Sequence, residues 1–278
     1  MKTTDNTVLI TGGTSGIGLA LAKRFLQEGN EVIVTGTNAT KAAEIQNQLP
    51  NIKIELADIR DRSALDRLVA KYSDVNILIN NVGIQYNYDF ADPAIAPSQI
   101  DTEIDINLSA PLYLTKQFLP QLLAKPTAAI VNISSGLAIV PKQSAPIYCA
   151  SKAALHSFTR ALRWQLEHTT VKVFEVIPPI VDTPMTAGRG RGKISPDALV
   201  AEFWTNFERD RYEIRIGKTK LLVMLDRMMP RLAEQFIRSN KLNYNPHFSG
   251  RKRVEDLDLV DGLLTLMMLI GSKCSRGC

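Results

Sequence analysis

Val8-Leu9-Ile10-Thr11-Gly12-Gly13-Thr14-Ser15-Gly16-Ile17-Gly18 is the stretch on which the reading of this chain turns. Val8 to Ile10 is a short apolar, β-branched run that reads as a buried strand. Beyond the glycines, Leu19, Ala22, Phe25 and Leu26 recur at helical spacing until Gly29 ends the pattern. Glu31 to Thr35 is again strand-like, so the stretch predicts a βαβ unit. Glycine permits a tight turn and lets backbone approach a ligand closely, while the first turn of a helix offers unpaired N–H groups to a phosphate. Alone, such a loop is an ordinary tight turn. At the first strand-to-helix turn of a βαβ unit it points to nucleotide binding.

Outward from this unit the alternation continues. Helical patterns fit Lys41 to Leu49 and Ser63 to Tyr72, and strands fit Ile52 to Ala57 and Asn76 to Asn80. A longer helix fits Ser98 to Leu123, with a break or kink expected at Pro111. Ala128 to Ile133 reads as a buried strand, Ala145 to His168 as a long helix, and Val171 to Ile177 as another strand. Ala198 to Glu208 is helical, Tyr212 to Ile216 a last strand, and Thr219 to Arg238 a basic amphipathic helix. Repeated strand–helix alternation predicts an α/β fold, a doubly wound parallel sheet with helices on both faces. Ligands then bind beyond the carboxyl ends of the strands.

The totals set bounds. At 278 residues, with 45% hydrophobic and 22% charged, the chain is long enough for one large domain with a sizeable core or for two small ones. The net charge of +5 comes from 33 basic residues interleaved with 28 acidic ones, which leaves no nucleic-acid footprint. Cys149, Cys274 and Cys278 make no disulfide framework, so a cytoplasmic, reducing setting is the expectation. Met1 to Thr7 is polar with no apolar signal core, and no run is long enough for a membrane span. No metal site is expected: Cys274 and Cys278 lack a neighbouring acidic or histidine cluster, and His156 and His168 read as packing or surface residues.

Tyr148 and Lys152 lie four apart on the predicted long helix, hence on one face and about 6 Å apart along the axis. A phenol with a pKa of about 10 is a poor base near neutrality. A nearby cation favours its phenolate, and it can then exchange a proton with a hydroxyl or carbonyl. Most such pairs are a half-buried ring beside a solvated ammonium, so the pair acquires meaning only from its company. Asp58, Asn80-Asn81-Val82-Gly83, Ser134-Ser135-Gly136 and Pro178 to Thr183 each follow a predicted strand, which puts them along one rim with the glycine loop.

Thr11-Gly12-x-x-x-Gly16-x-Gly18, Asp58, Asn80-Asn81-Val82-Gly83, Asn107, Ser134 and Tyr148-x-x-x-Lys152 together resemble the short-chain dehydrogenase/reductase family, from about Thr7 to Thr183. The resemblance implies one Rossmann-type domain, residues 1–240 with a substrate-loop region at 184–215, assembled as a homodimer or homotetramer. It implies Tyr148 as acid/base, Lys152 lowering its pKa and bonding the nicotinamide ribose, Ser134 positioning the substrate oxygen, and Asn107 holding a relay water. Cofactor contacts are implied for Gly12, Thr14, Ser15, Gly16, Ile17 and Gly18, for Thr37 and Asn38, for Asp58 and Ile59, for Asn81, Val82 and Gly83, and for Pro178, Ile180 and Thr183, besides Tyr148 and Lys152. The partner that the resemblance implies is a small carbonyl or alcohol substrate. Gly217-Lys218-Thr219-Lys220 and its surroundings are similar to the DltE-type oxidoreductases of Gram-positive bacteria, while lacking the upstream context of a P-loop.

Three departures from the family pattern bear on the cofactor. Val82 replaces the usual alanine, and Pro179 replaces the glycine usual after Pro178, which removes an N–H from that loop. Thr35-Gly36-Thr37-Asn38 carries neither the acid that would bond a ribose 2′-OH nor a base for a 2′-phosphate. Without an acid there is no repulsion of a phosphate, and Thr37, Asn38 and nearby Lys41 can bind one, so NADP is expected over NAD. Arg189-Gly190-Arg191-Gly192-Lys193 is either a basic lid for a polar substrate or a solvated loop. Residues 241–278, with apolar Leu257 to Ile270, form a C-terminal appendage outside the resemblance. A catalytically silent nucleotide-binding scaffold on the same fold is the alternative. An epimerase or dehydratase with tightly held NAD fits the loop spacing and chain length less well.

Overall fold

The computed structural model describes residues 1–239; the expected appendage, with Cys274 and Cys278, lies outside the described residues. Among the described residues seven strands, β1 Thr7–Ile10, β2 Glu31–Gly36, β3 Lys53–Leu56, β4 Ile77–Asn80, β5 Ala128–Ile133, β6 Val171–Ile177 and β7 Glu213–Arg215, form one sheet. Every pairing is parallel and the order is β3-β2-β1-β4-β5-β6-β7. The chain winds outward from β1 to one edge, returns to β4, and winds to the other, which makes the β1/β4 boundary the switch point where such sheets open a crevice. The fold is the Rossmann-type α/β architecture expected from the alternation.

The helices are α1 Gly16–Gln27, α2 Ala39–Gln48, α3 Arg62–Lys71, α4 Pro97–Ile104, α5 Ala110–Leu123, α6 Pro146–Gln165, α7 Pro196–Glu208, α8 Thr219–Met228 and α9 Pro230–Ser239. Strand alternation divides the core between them. Val8 and Ile10 of β1 pack with Leu21 and Phe25 of α1 and Phe203, Trp204 and Phe207 of α7. Leu9 points the other way, among Leu65 of α3, Leu114 and Phe118 of α5 and Leu162 of α6. Phe25 meets Trp204 edge-on at 4.9 Å, and each such buried ring contributes roughly 1.5–3 kcal/mol through removal from water.

Two predicted helices are interrupted. The segment expected as one helix from Ser98 to Leu123 becomes α4, a π-helical turn at Asp105–Ser109, and α5. The backbone stays helical through Asp105, Ser109 and Ala110, and Pro111 lies just after the π turn, where the hydrogen-bond pattern changes. The helix expected over Thr219 to Arg238 divides into α8 and α9 because Pro230 cannot continue it; Met229, the residue before proline, turns extended at φ −144°. Among the described residues no helix is long and apolar enough to cross a membrane. Nor, among them, does any group of three or more His, Cys, Asp or Glu side chains cluster to hold a metal ion.

Candidate active site

The glycine loop leaves β1 at the switch point. Gly12 and Gly16 adopt φ values of +66° and +53°, which only glycine reaches without strain. At Gly18 the demand is space instead: a Cβ would lie 2.4 Å from Gly12 O and 2.5 Å from the Asn81 amide. The Gly12 and Gly13 N–H groups are spent on Thr35, at 3.2 and 3.1 Å. Ser15 stands at the N-cap of α1 without a side-chain capping bond, so the first-turn N–H groups keep their free donors. That cradle suits a phosphate.

From β4, Asn81 and Val82 bind the loop from behind. The Asn81 amide donates to Thr11 O at 2.9 Å and Gly12 O at 3.2 Å, and the backbone N–H groups of both residues donate to the Thr11 hydroxyl. Asn81 therefore shapes the loop, its two side-chain donors already engaged. The Val82 methyl lies 2.6 Å from where a Gly12 Cβ would sit, so the larger residue fills the space the glycine leaves.

Asn107 enters from the π turn, which swings it fully inward. Its carbonyl accepts from Ile84 N at 2.9 Å, and its amide donates to Ile84 O at 2.9 Å and Ser151 Oγ at 3.2 Å. All its donors are used by protein, so its side chain clamps the strand-end segment rather than offering a donor to water. Gly83 lies between it and Lys152: a Cβ there would be 3.3 Å from Asn107 Oδ1 and 3.5 Å from Lys152 Nζ.

Tyr148 and Lys152 are both buried on α6. Lys152 Nζ donates to Ile133 O at 2.8 Å and lies 5.9 Å from the Tyr148 ring centre. Burial penalises both charged forms, pushing the phenol up to about 12 and the ammonium down to about 8. A hydrogen-bonding interaction with the Ser135 side chain, and more weakly the Arg189 charge, work the other way on the phenol, while Cys149 and Glu103 oppose its ionisation.

Ser134, expected beside the substrate oxygen, is buried with its hydroxyl turned to the backbone of β6. Its hydroxyl donates to Val176 O at 3.3 Å, and of the two adjacent serines it is the Ser135 side chain that favours ionisation of the Tyr148 phenol. The sheet ends at Ile133 and the chain turns into a short 3-10 turn, Gly136–Ala138, which Ser135 caps by accepting from Leu137 N at 3.1 Å. Strand alternation no longer decides which side chain faces α6 once the strand has ended.

Residues 6–193 match the sequence profile of the short chain dehydrogenase family. The chain belongs to that family. It is 44% identical over 225 residues to the uncharacterized oxidoreductase DltE of Bacillus subtilis, covering 77% of this chain and 89% of DltE. A short chain dehydrogenase from Burkholderia cenocepacia, in complex with NADP, superposes with a TM-score of 0.78 at 23% identity, over 85% of this chain and 99% of that one. A family member from Burkholderia phymatum, in complex with NAD, gives 0.75 at 20% identity, over 88% and 100%.

In this family member the rest of the rim divides sharply. Thr37 and Asn38 are exposed after β2, and Asn38 caps α2 by accepting from Lys41 N at 2.9 Å. Thr14 packs on Gly36, where a Cβ would lie 2.6 Å from its methyl. The Asp58 carboxylate is gripped by Arg60, with Nη2 at 2.6 Å, which holds it below the usual carboxylate range, whereas Ile59 is buried in the core. Thr183 abuts the glycine loop, its methyl 3.0 Å from where a Gly16 Cβ would sit. Pro178 O accepts from Gly136 N at 3.0 Å, and Ile180 O and the Asp182 N–H bond Ile194 instead of using the donor that Pro179 lacks. The basic segment is thereby tethered: Gly190 closes over Ile180, and Lys193 binds Asp182 at 3.1 Å and Thr186 O at 2.8 Å.

Sequence reasoning missed Glu103, whose charge opposes ionisation of the Tyr148 phenol, and its hydrogen-bond partners Tyr86 and Tyr88. Glu103 is fully buried on α4 and accepts from Tyr86 N at 3.1 Å, and burial raises its pKa. Burial likewise pushes the Tyr88 phenol up to about 12. A lone glutamate in a polar helix pattern reads as a solvated charge, so no sequence signal marks it.

Proposed function

We propose that this chain is a nicotinamide-dependent oxidoreductase that interconverts a carbonyl and an alcohol on a small substrate, with Tyr148 passing the proton. The observation that carries the reading is a buried phenol with the Ser135 side chain acting on it and the Lys152 ammonium one helical turn away, beside a glycine cradle with unspent N–H groups. The cradle fits a dinucleotide: the first-turn donors of α1 would take the pyrophosphate, and Gly12, Gly16 and Gly18 supply the close approach. A bound nicotinamide supplies the hydride chemistry. The chain's own part is orientation and the proton.

Tyr148 Oη would give its proton to a carbonyl oxygen in reduction and take one from an alcohol in oxidation. Ser135, not Ser134, would hold the substrate oxygen, because its oxygen already accepts from Leu137 N and its O–H remains to donate. Lys152 would favour the phenolate as its charge approaches the ring and would bond the ribose; Asn107 would act by fixing Ile84 and Ser151. Thr37 and Asn38, exposed and without an acidic neighbour at the end of β2, together with Lys41 favour NADP over NAD. Isothermal titration with NADPH and NADH tests this preference, and tighter NADH binding would overturn it. Exposed Ile104, Leu123 and Trp164 on α4, α5 and α6 support assembly through those helices into a homodimer or homotetramer.

Replacing Tyr148 by phenylalanine tests the central reading. Turnover should be lost while NADPH binding stays close to wild type. Unchanged turnover would reject the role, and no turnover with any carbonyl in the wild type would favour a silent nucleotide-binding scaffold.

A further inference from the structure

Just below the strand ends a polar row crosses the sheet. Asn80 of β4, Asn132 of β5, Glu175 of β6 and Glu213 of β7 are partners in register. The Asn80 amide donates to Asn132 Oδ1 at 2.8 Å, and the Asn132 amide donates to Thr159 Oγ1 of α6 at 2.9 Å. Glu175 comes next and is fully buried, with both carboxylate oxygens within 2.9 Å of His156 Nδ1. A buried carboxylate held by one imidazole serves no packing purpose that a leucine would not serve better.

Its place relative to the site is set by two periodicities. Tyr148, Lys152 and His156 step down one face of α6 at intervals of four residues. Lys152 Nζ is anchored on Ile133 O, and Glu175 faces Asn132, the residue before Ile133. One residue of strand rise, about 3.3 Å, and one strand spacing, about 4.8 Å, separate the two positions by roughly 6 Å. An ammonium bonded to a single carbonyl in a dry site is costly to keep charged, and Glu175 is the acidic group whose field favours its charged form.

We propose that Glu175, held in place by His156, is a positioning residue for Tyr148 and Lys152: its buried charge keeps the Lys152 ammonium protonated and therefore able to act on the tyrosine. The proposal rests on reading Tyr148 as the acid/base. The other charged and titratable groups facing the pair are accounted for. Glu213 on β7 is bound by Arg215 at 2.6 Å, Arg163 Nε donates to Val173 O at 2.8 Å, and Arg160 stacks on Trp164. Glu175 and Glu213 favour the protonated imidazole of His156 and Arg160 opposes it, while Tyr212, beside Arg163, presents its backbone carbonyl to that guanidinium and to Glu175 N.

The test is the titration of Lys152 itself, read from the ε-methylene signal of protein carrying 13C-labelled lysine, assigned with Lys152→Met. Glu175→Gln should lower the Lys152 midpoint by about one pH unit or more, the size of effect a close buried charge produces. Glu175→Asp should restore part of it. His156→Gln keeps a hydrogen-bond donor for the carboxylate while removing the titratable ring that shares it, so the midpoint should hold or rise; this part-buried position also serves if Glu175→Gln does not fold. Glu213→Gln should move it by only a few tenths of a unit, since Arg215 already neutralises that group. An unmoved midpoint in Glu175→Gln, or a fall in His156→Gln, overturns the proposal. The midpoints are read without turnover, so failure of the acid/base reading shows separately, in Tyr148→Phe. Where turnover is present, Glu175→Gln should also move the acid limb of alcohol oxidation to higher pH.

Discussion

At the glycine loop the surface offered to a ligand is backbone, made by residues close together in sequence and stiffened from behind by Asn81. At Tyr148 it is side chains, brought from the ends of β5 and β6, the π turn and α6, and all taken out of water. The first region carries almost no formal charge and costs little to preserve. The second holds a phenol and an ammonium that burial drives toward their neutral forms. Binding groups can be built from unspent N–H donors, whereas proton-transfer groups must be desolvated to be tuned, and the fold bears that cost in stability.

Breaking the side-chain region should have the largest effect on rate. Tyr148→Phe removes the proposed proton-transfer group and should lower turnover by on the order of 10²–10⁴, measured as kcat beside an NADPH titration that remains near wild type.

Lys152→Met should expose the cost of that region. The folded-state value of about 8 lies below the ordinary 10.5, so between them the unfolded chain binds more protons and stability rises with pH. The penalty is thus fully present below pH 8 and fades toward 10.5. Replacing the ammonium by an apolar side chain should stabilise the protein by about 3 kcal/mol near pH 7. The gain should disappear as pH rises through that window in denaturant melts, while activity is lost.

The adjacent serines sharpen the comparison further. Ser135→Ala should lower kcat by roughly 10–100-fold, the worth of a hydrogen bond to a charged group, and Ser134→Ala should leave kcat within about threefold. Equal losses would return Ser134 to the site. At the backbone end, Gly18→Ala forces a Cβ against Gly12 O, and overpacking of about 1–3 kcal/mol should appear as a lower thermal midpoint and weaker NADPH binding, with little change in kcat at saturation.

The backbone region was almost wholly readable from sequence, because a strand, three glycines and an amphipathic helix are local patterns. The side-chain region was readable in part. Tyr148 and Lys152 announce themselves by helical spacing, but the choice between Ser134 and Ser135 depends on where β5 stops. His156 reads as a packing or surface residue in sequence because its partner, Glu175, is 19 positions away on β6. Glu175, in turn, sits in an apolar run where a charge has no local explanation.

By itself the sequence determined the winding of strand and helix, the position of the glycine loop and the shared face of Tyr148 and Lys152, since each follows from periodicities of two or 3.6 residues and from glycine's freedom. Only the tertiary structure decided which serine bonds the β6 backbone and which caps the turn after β5, that the Asn107 side chain is spent on Ile84 and Ser151, that the basic segment is tethered, and that the Glu175 carboxylate is held by His156 of α6. Those facts depend on the register between strands distant in the chain and on the crossover that sets α6 over β5 and β6. No local pattern encodes them.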